Sequence, residues 1–410
     1  MFTWFLAGCG GGPAAGVGEG DVAGVPGGDD EPACCAEDTG ESGGGTVPDV
    51  DCGVPVTGGS VFGDAPVDLA LALTDEAIAG LATSPDDEVE DVPGTLTIGG
   101  ESWLVGVRLK GGHGSFRTFE QKAAFKIDFG EFVEGQRFEG ARHLNVNNYV
   151  QDGAMLGEHA AYALWSEFGV PAPRHGYARV TVNGERFGLY GLADAVDGDL
   201  VARCFADASG PLFEGEMDDF TTDLVDTFAV VADGGLAEPH ARLVDAVSAL
   251  DAAPHDGRAS AMGERFDYDV LLDAMAVELV TGNDDAYATF TNNFFVYADP
   301  ATGRLVLMEW GPDQAFGEDL DVLGSWPGRL FRDCRADATC DADLRGRLAD
   351  VAARIASPEW RGWIEGVAEA TRTDCEEDPR SEMDCAYQRE RFFDFLDRRP
   401  GDVYDALDRP

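Results

Sequence analysis

Basic side chains are scarce in this chain. Its 29 Lys and Arg stand against 77 Asp and Glu, a formal net charge of −48. A polyanion of that size repels nucleic acid and anionic membrane surfaces, so both are set aside as partners. It also repels nucleotides, unless a divalent cation or a local basic patch reverses the sign at a site. Long apolar runs are missing as well, and no stretch approaches the ~18 apolar residues that span a bilayer. There is no CxxC pair and no histidine cluster near the cysteines, which argues against a zinc site.

What is present is a globular composition, 44% apolar and 10% aromatic, with length for one large domain or two ordinary ones. Cys334/Cys340 and Cys375/Cys385 enclose short polar loops and are the expected disulfide pairs, in keeping with export. Cys34, Cys35, Cys52 and Cys204 pair in ways the sequence leaves open. Leu6-Ala7-Gly8-Cys9 matches the bacterial lipoprotein box. The apolar segment ahead of Cys9 is nevertheless too short for a signal h-region and has no basic n-region. Either the true start lies upstream of Met1 or the match is accidental. The Gly/Ala/Asp-rich linker that follows favours the first, because a lipid anchor needs a tether. The expected organisation is a partial signal with lipobox over 1–9, a flexible tether over 10–60, and one domain over 61–410.

Within that domain the chain reads first as strands. VDLALALTDEAIAGLAT (67–83) runs from a strand into a helix with Thr74 as N-cap. GTLTIGGESWLVGVRLKG (94–111) is a hairpin around Gly99-Gly100, and AAFKIDF (123–129) is a further strand. GAMLGEHAAYALWSEFGV (153–170) is a helix with Asp152 as N-cap and Gly169 and Pro171 at its end. ARVTVNGERFGLYGL (178–192) is a hairpin around Asn183-Gly184. YDVLLDAMAVELVTG (268–282) reads as an amphipathic helix closed by Gly282, and NNFFVYAD and RLVLMEW as two strands joined at Pro300–Gly303. Residues 205–260 show only helix patches such as RLVDAVSALDAA, and the C-terminal part, VAARIASPEWRGWIEGVAEATR and RERFFDFLDRR, is helical. The order is β-rich, then mixed, then helical, which predicts an α+β domain of roughly 350 residues.

Three stretches concentrate polar groups between apolar elements. In VRLKGGHGSFRTFEQKAAFKIDF (107–129) a strand opens into a Gly-rich loop. Arg108, Lys110, Arg117, Lys122 and Lys126 gather there, the one local excess of positive charge. Backbone N–H groups of such a loop, with a Lys beside it, suit phosphate oxygens; a hairpin with a solvated basic rim is the plainer alternative. In TGNDDAYATFTNNFFVY (281–297) two acids follow the helix end and two amides lead into a strand. A carboxylate with an amide oxygen a few residues on suits phosphoryl transfer. In LVLMEWGPDQAFG (305–317) a strand stops at Trp310 and a Gly311-Pro312 step presents Asp313.

Together with HLNVNNYVQDGAMLGEHAAYAL and GYARVTVNGERFGLYGLADAVD, these stretches resemble the CotH family, atypical secreted protein kinases of the spore-coat type. The likeness covers most of 61–320. It implies a divergent protein-kinase-like fold, with a β-rich N-terminal part and a helical C-terminal part. It also implies transfer of the ATP γ-phosphoryl to Ser/Thr of surface or coat proteins, with Mg²⁺ or Mn²⁺, and Ca²⁺ as a further option. Carried across, Lys122 matches the nucleotide-binding Lys, with Ser115 and Arg117 in the phosphate-side loop. Glu158 and Asp194 are candidates for its partner. Asp285 matches the catalytic Asp and Asn293 the metal-binding Asn, although eight residues separate them here. The family's W-D-x-D motif has lost its first acid to Gly311 and keeps Asp313 as the metal ligand. Two readings follow: a working kinase, or an inactive relative serving as an assembly or calcium-binding scaffold. The implied protein is a monomer exported from a bacterium, either extracellular or held at the envelope by a lipid on Cys9.

Overall fold

The computed structural model describes Cys52, residues 60–112 and residues 114–409. The chain divides into Met1–Thr46 and Val47–Pro410, and every described residue lies in the second unit. The lipobox with Cys9, Cys34, Cys35 and nearly all of the 10–60 segment fall outside the described residues.

Alternating burial builds the first layer. In β1 (Val67–Leu73), Leu69, Leu71 and Leu73 point inward between exposed neighbours, and Thr74 then caps the short α1 (Asp75–Ala79) by accepting from Ala77 N–H. β2 (Val92–Ile98), β3 (Glu101–Lys110), β4 (Ala124–Asp128) and β5 (His143–Asn147) follow. The helix α2 (Gly157–Glu167) comes next, then β6 (His175–Val182) and β7 (Glu185–Asp194). The seven strands close into a barrel in the order β1-β2-β3-β4-β5-β7-β6. Closure comes from a parallel β1–β6 pairing that sets Val67 opposite Ala178 and Leu71 opposite Val182. Val105, Val107 and Leu109 of β3 and Phe125 and Ile127 of β4 fill the interior, each worth about 1.5–3 kcal/mol of burial. Period two then places Arg108, Lys110 and Lys126 on the outer face.

The chain continues through α3 (Gly198–Cys204), β8 (Leu212–Gly215), β9 (Ala229–Ala232), α4 (Ala241–Ala252), α5 (Arg258–Arg265), α6 (Tyr268–Thr281), α7 (Tyr287–Phe290), β10 (Phe294–Ala298) and β11 (Leu305–Glu309). A second sheet has the order β11-β10-β8-β9. The chain ends in α8 (Arg329–Ala336), α9 (Ala338–Ile355), α10 (Pro358–Glu376) and α11 (Cys385–Leu407). The architecture is α+β, β-rich at its N-terminal end and helical at its C-terminal end. Among the described residues no helix is long and apolar enough to cross a membrane. Disulfides join Cys334–Cys340 and Cys375–Cys385, the two expected pairs, and Cys52–Cys204.

Two elements differ from the sequence reading. The helix expected from 153 begins at Gly157, because Met155 takes a left-handed turn at φ 53°. Asp152 consequently lies outside the cap position but still accepts from Glu158 N–H at 3.1 Å. Helix α6 is not amphipathic: Leu271 through Thr281 are all buried. Its two internal acids survive burial differently, Asp273 beside Arg347 at 3.4 Å and Glu278 against a second carboxyl, Glu309.

Candidate active site

A cleft of about 610 Å³ opens where the end of β3, β5, α2, β8 and the segments flanking β10 and β11 converge. Lys110, the last residue of β3, enters it from the barrel's outer face. Its Nζ donates to Asn147 Oδ1 at 2.5 Å and stands 5.0 Å from the Trp310 ring centre. Burial lowers the Lys110 pKa, while Glu158 and then Asp313 oppose that shift. Gly111, Gly112, Gly114 and Ser115 continue the wall as a loop.

Glu158 projects from the first turn of α2 and is almost fully buried. One oxygen, Oε1, accepts from Asn147 Nδ2, so Asn147 joins Lys110 to Glu158. The other, Oε2, has no hydrogen-bond partner. Burial raises the pKa of this carboxyl, but His175, Lys110 and Asn147 together hold it below the ordinary value.

Across the cleft, three amides converge on Asp285. Asn292 Nδ2 donates to Oδ1 at 2.9 Å, Asn293 Nδ2 to Oδ2 at 2.8 Å, and Gln314 Nε2 to Oδ2 at 2.9 Å. The left-handed backbone at Thr291 and Asn293 (φ 54° and 53°) turns the chain sharply enough to fold both amides back. Asp313 lines the same cleft. Desolvation, with Glu158 second, pushes its carboxyl up to about 7, and Lys110 opposes. Gly311 between them has φ 64°, and its N–H donates to Tyr162 Oη at 3.2 Å. A Cβ placed on Gly311 would lie 3.4 Å from Asn293 Cγ and 3.5 Å from its Oδ1. Both amide hydrogen bonds of Asn293 go to Asp285, to its side chain and to its backbone carbonyl. The Asn293 oxygen is therefore left beside Gly311. An amide oxygen and a carboxylate are the donor types that a hard divalent ion takes.

A sequence model described as CotH kinase protein matches residues 107–364, well over half of the chain. This chain belongs to the CotH family. The inner spore coat protein H of Bacillus subtilis (strain 168) is 25% identical over 241 residues. That match covers 56% of this chain and spans 64% of the length of the relative.

Seen in this CotH chain, the residues singled out from sequence separate into two groups. Ser115, Glu158, Asp285, Asn293 and Asp313 all line the cleft. Lys122, Arg117 and Asp194 do not line it. Lys122 Nζ donates to Asp378 Oδ2 at 2.7 Å with both side chains buried, and lies over the Tyr190 ring. A bend at Gln121-Lys122 precedes β4, so the strand's period does not extend to Lys122. Arg117 forms a two-pronged pair with Glu382, at 2.5 and 2.7 Å. Asp194 is held by Arg174 at 2.8 Å and Arg203 at 2.9 Å. Sequence reasoning placed Lys110 in the basic cluster without assigning it a role. Its signal was parity: Leu109 faces the barrel core, so Lys110 must face out, at the lip of the Gly-rich loop. Asn147 and Gln314 carried no comparable signal, since each becomes informative only through the partner it meets.

Proposed function

We propose that this CotH protein binds a nucleoside triphosphate with Mg²⁺ or Mn²⁺ in the 610 Å³ cleft and transfers the γ-phosphoryl to Ser/Thr of a surface or coat protein. The observation that carries the reading is the gathering of Lys110, Glu158, Asp285, Asn293 and Asp313 around one cavity. They come from the barrel, from α2 and from the segments flanking β10 and β11, and together offer the cation, carboxylates and amide that phosphoryl transfer uses. Lys110, not Lys122, is the cation placed to hold phosphate oxygens, with Glu158 and Asn147 fixing its direction. Gly111, Gly112 and Gly114 beside Lys110 offer backbone N–H groups to the same oxygens. Asn293 Oδ1 and Asp313 would hold the metal, which supplies charge neutralisation on the phosphates. Asp285 is fixed by three amides, and its Oδ1 accepts only from Asn292, which leaves it an acceptor site for the substrate hydroxyl. The spore-coat relative supports a coat or extracellular location for this protein.

A second reading is favoured by one observation: Gly311 supplies no side-chain oxygen next to Asn293. An inactive scaffold would keep the cleft and lose transfer. Phosphoryl transfer from radiolabelled ATP with Mn²⁺, measured for the wild type and Asp285→Ala, decides between them. Transfer that vanishes in the variant supports the kinase. Absence of transfer, with no ATP-dependent rise in melting temperature at millimolar nucleotide and metal, overturns it.

A further inference from the structure

Behind Glu158, the polar side chains of Asp64, His159 and His175 form a file. Asp64 Oδ1 accepts from His159 Nε2 at 3.0 Å, and His159 Nδ1 meets His175 Nδ1 at 2.8 Å. His175 Nε2 then stands 3.4 Å from Tyr149 Oη and 3.7 Å from Glu158 Oε2. The outer end opens into an apolar pocket of about 330 Å³ beside Trp363, whose indole N–H also donates to Asp64, at 3.1 Å.

Proton counting along this file fixes the tautomers. Asp64 has its pKa lowered, first by the hydrogen bond from His159, and is an acceptor only. His159 must therefore carry its proton on Nε2. Burial lowers the His159 pKa, and the neutral ring has a lone pair on Nδ1. His175 Nδ1–H donates to that lone pair, which commits the only proton of a neutral His175. Its Nε2 then has no hydrogen for Glu158 Oε2, a buried carboxylate oxygen without a partner. A buried acceptor left this way costs about 1–3 kcal/mol, more when charged. A proton added at His175 Nε2 removes the deficit after a small ring rotation.

Among the other groups facing His175, Tyr149 Oη at 3.4 Å can donate to Nε2 while the ring is neutral, but it brings no charge to Glu158. Burial raises Tyr149, Tyr162 and Tyr177 well above the ordinary tyrosine value, so all three stay neutral. Arg174 is turned to Asp194. Beyond Glu158 lie Lys110, Asp313 and Asp152, which act on His175 only through that carboxylate. Gly191 of β7 makes the room: a Cβ there would come within 2.8 Å of both His175 Nε2 and Tyr149 Oη.

We propose that His175 is a positioning residue for Glu158. Protonated at Nε2, it holds the far carboxylate oxygen, so that the near one stays on Asn147 beside Lys110. The consequence for nucleotide binding rests on the reading of Lys110 and Glu158 given above; the His175–Glu158 link itself does not.

The test uses the full chain labelled with ¹⁵N-histidine, whose six histidines allow imidazole nitrogens to be followed through a pH titration. In Glu158→Gln the His175 Nε2 signal, read at one pH, is expected to move from the position of a protonated towards that of an unprotonated ring nitrogen. An unchanged signal overturns the proposal. Should Glu158→Gln not fold, the Glu158 carboxyl ¹³C signal in His175→Gln reads the same link from the other side. Its midpoint is expected to rise, since His175 is one of the groups that hold it down, and no rise overturns the proposal. ATP·Mn²⁺ affinity separates the two readings. His175→Ala is expected to weaken it about tenfold and His175→Gln, which keeps a donor, to restore most of that loss. A wild type that shows the histidine shift but binds no nucleotide supports the His175–Glu158 link and overturns the nucleotide site.

Discussion

Lys122 Nζ lies 2.7 Å from Asp378 Oδ2, and the two side chains are 1% and 0% exposed. Asp378 also accepts from Leu189 N–H at 2.8 Å and Arg380 N–H at 2.9 Å. This pair ties the approach to β4 to the loop closed by the Cys375–Cys385 disulfide. Lys122→Met leaves Asp378 buried without its cation, and is expected to cost about 3–5 kcal/mol of stability. Lys110→Met, half-buried at the cleft wall, is expected to cost less, about 1–3 kcal/mol, while lowering ATP·Mn²⁺ affinity at least about tenfold. Urea denaturation and calorimetric titration of both variants check the division. The opposite pattern would return the phosphate role to Lys122.

Gly311 has ordinary van der Waals space above its Cα, facing the Asn293 amide. Gly311→Asp places a carboxylate there, at a backbone cost of roughly 1 kcal/mol for the left-handed conformation. Mn²⁺ affinity, read by calorimetry, is expected to rise about tenfold or more, because a hard cation gains an anionic oxygen. No gain would show that the Asn293 oxygen does not face a cation.

Asp313 is raised to about 7, chiefly by desolvation. Metal must displace its proton, so Mn²⁺ affinity is expected to climb with pH between about 4 and 7 and to level above that. Asp313→Asn is expected to flatten this profile, whereas Glu318→Ala, outside the cleft lining, leaves it intact. A profile unchanged in Asp313→Asn would refute the ligand role.

Glu278 and Glu309 are both completely buried beside each other; Glu278 Oε2 accepts from Ala288 N–H at 2.9 Å, while neither Glu309 oxygen has a partner outside the pair. Burial raises both carboxyls, Glu309 further through the Glu278 charge. A folded-state pKa above the unfolded one means that the stabilising contribution is present below about 4.5 and lost as pH rises through the folded value. Glu309→Gln keeps a donor without the charge. It is expected to leave stability unchanged near pH 4 and to raise it by on the order of 1–3 kcal/mol at pH 8. Melting curves at the two pH values check this; equal effects at both would mean that the pair does not share a proton.

Much of the local structure was legible because its causes are local. Asn183-Gly184 takes φ 50° and 82°, and Gly99-Gly100 takes 61° and 86°. Both are the left-handed pairs of tight hairpins, which few other residues tolerate. Gly282 ends α6 in the left-handed cap its position suggested. Asp285, Asn293 and Asp313 were legible as one group because a two-strand hairpin separates them and its turn was readable.

The sequence by itself determined the main hairpins, several helix ends, two short disulfide loops and the acidic side of the cleft, since each follows from a residue and its near neighbours; β5, β8, β9 and the start of α2 it did not. Only the tertiary structure decided which lysine enters that cleft. It also closed the barrel through the parallel β1–β6 pairing, and laid the Asp64–His159–His175 file against Glu158. Those relations join residues up to 256 positions apart, such as Lys122 and Asp378. What sets them is which partner best neutralises a charge removed from water, and no local pattern encodes that energy.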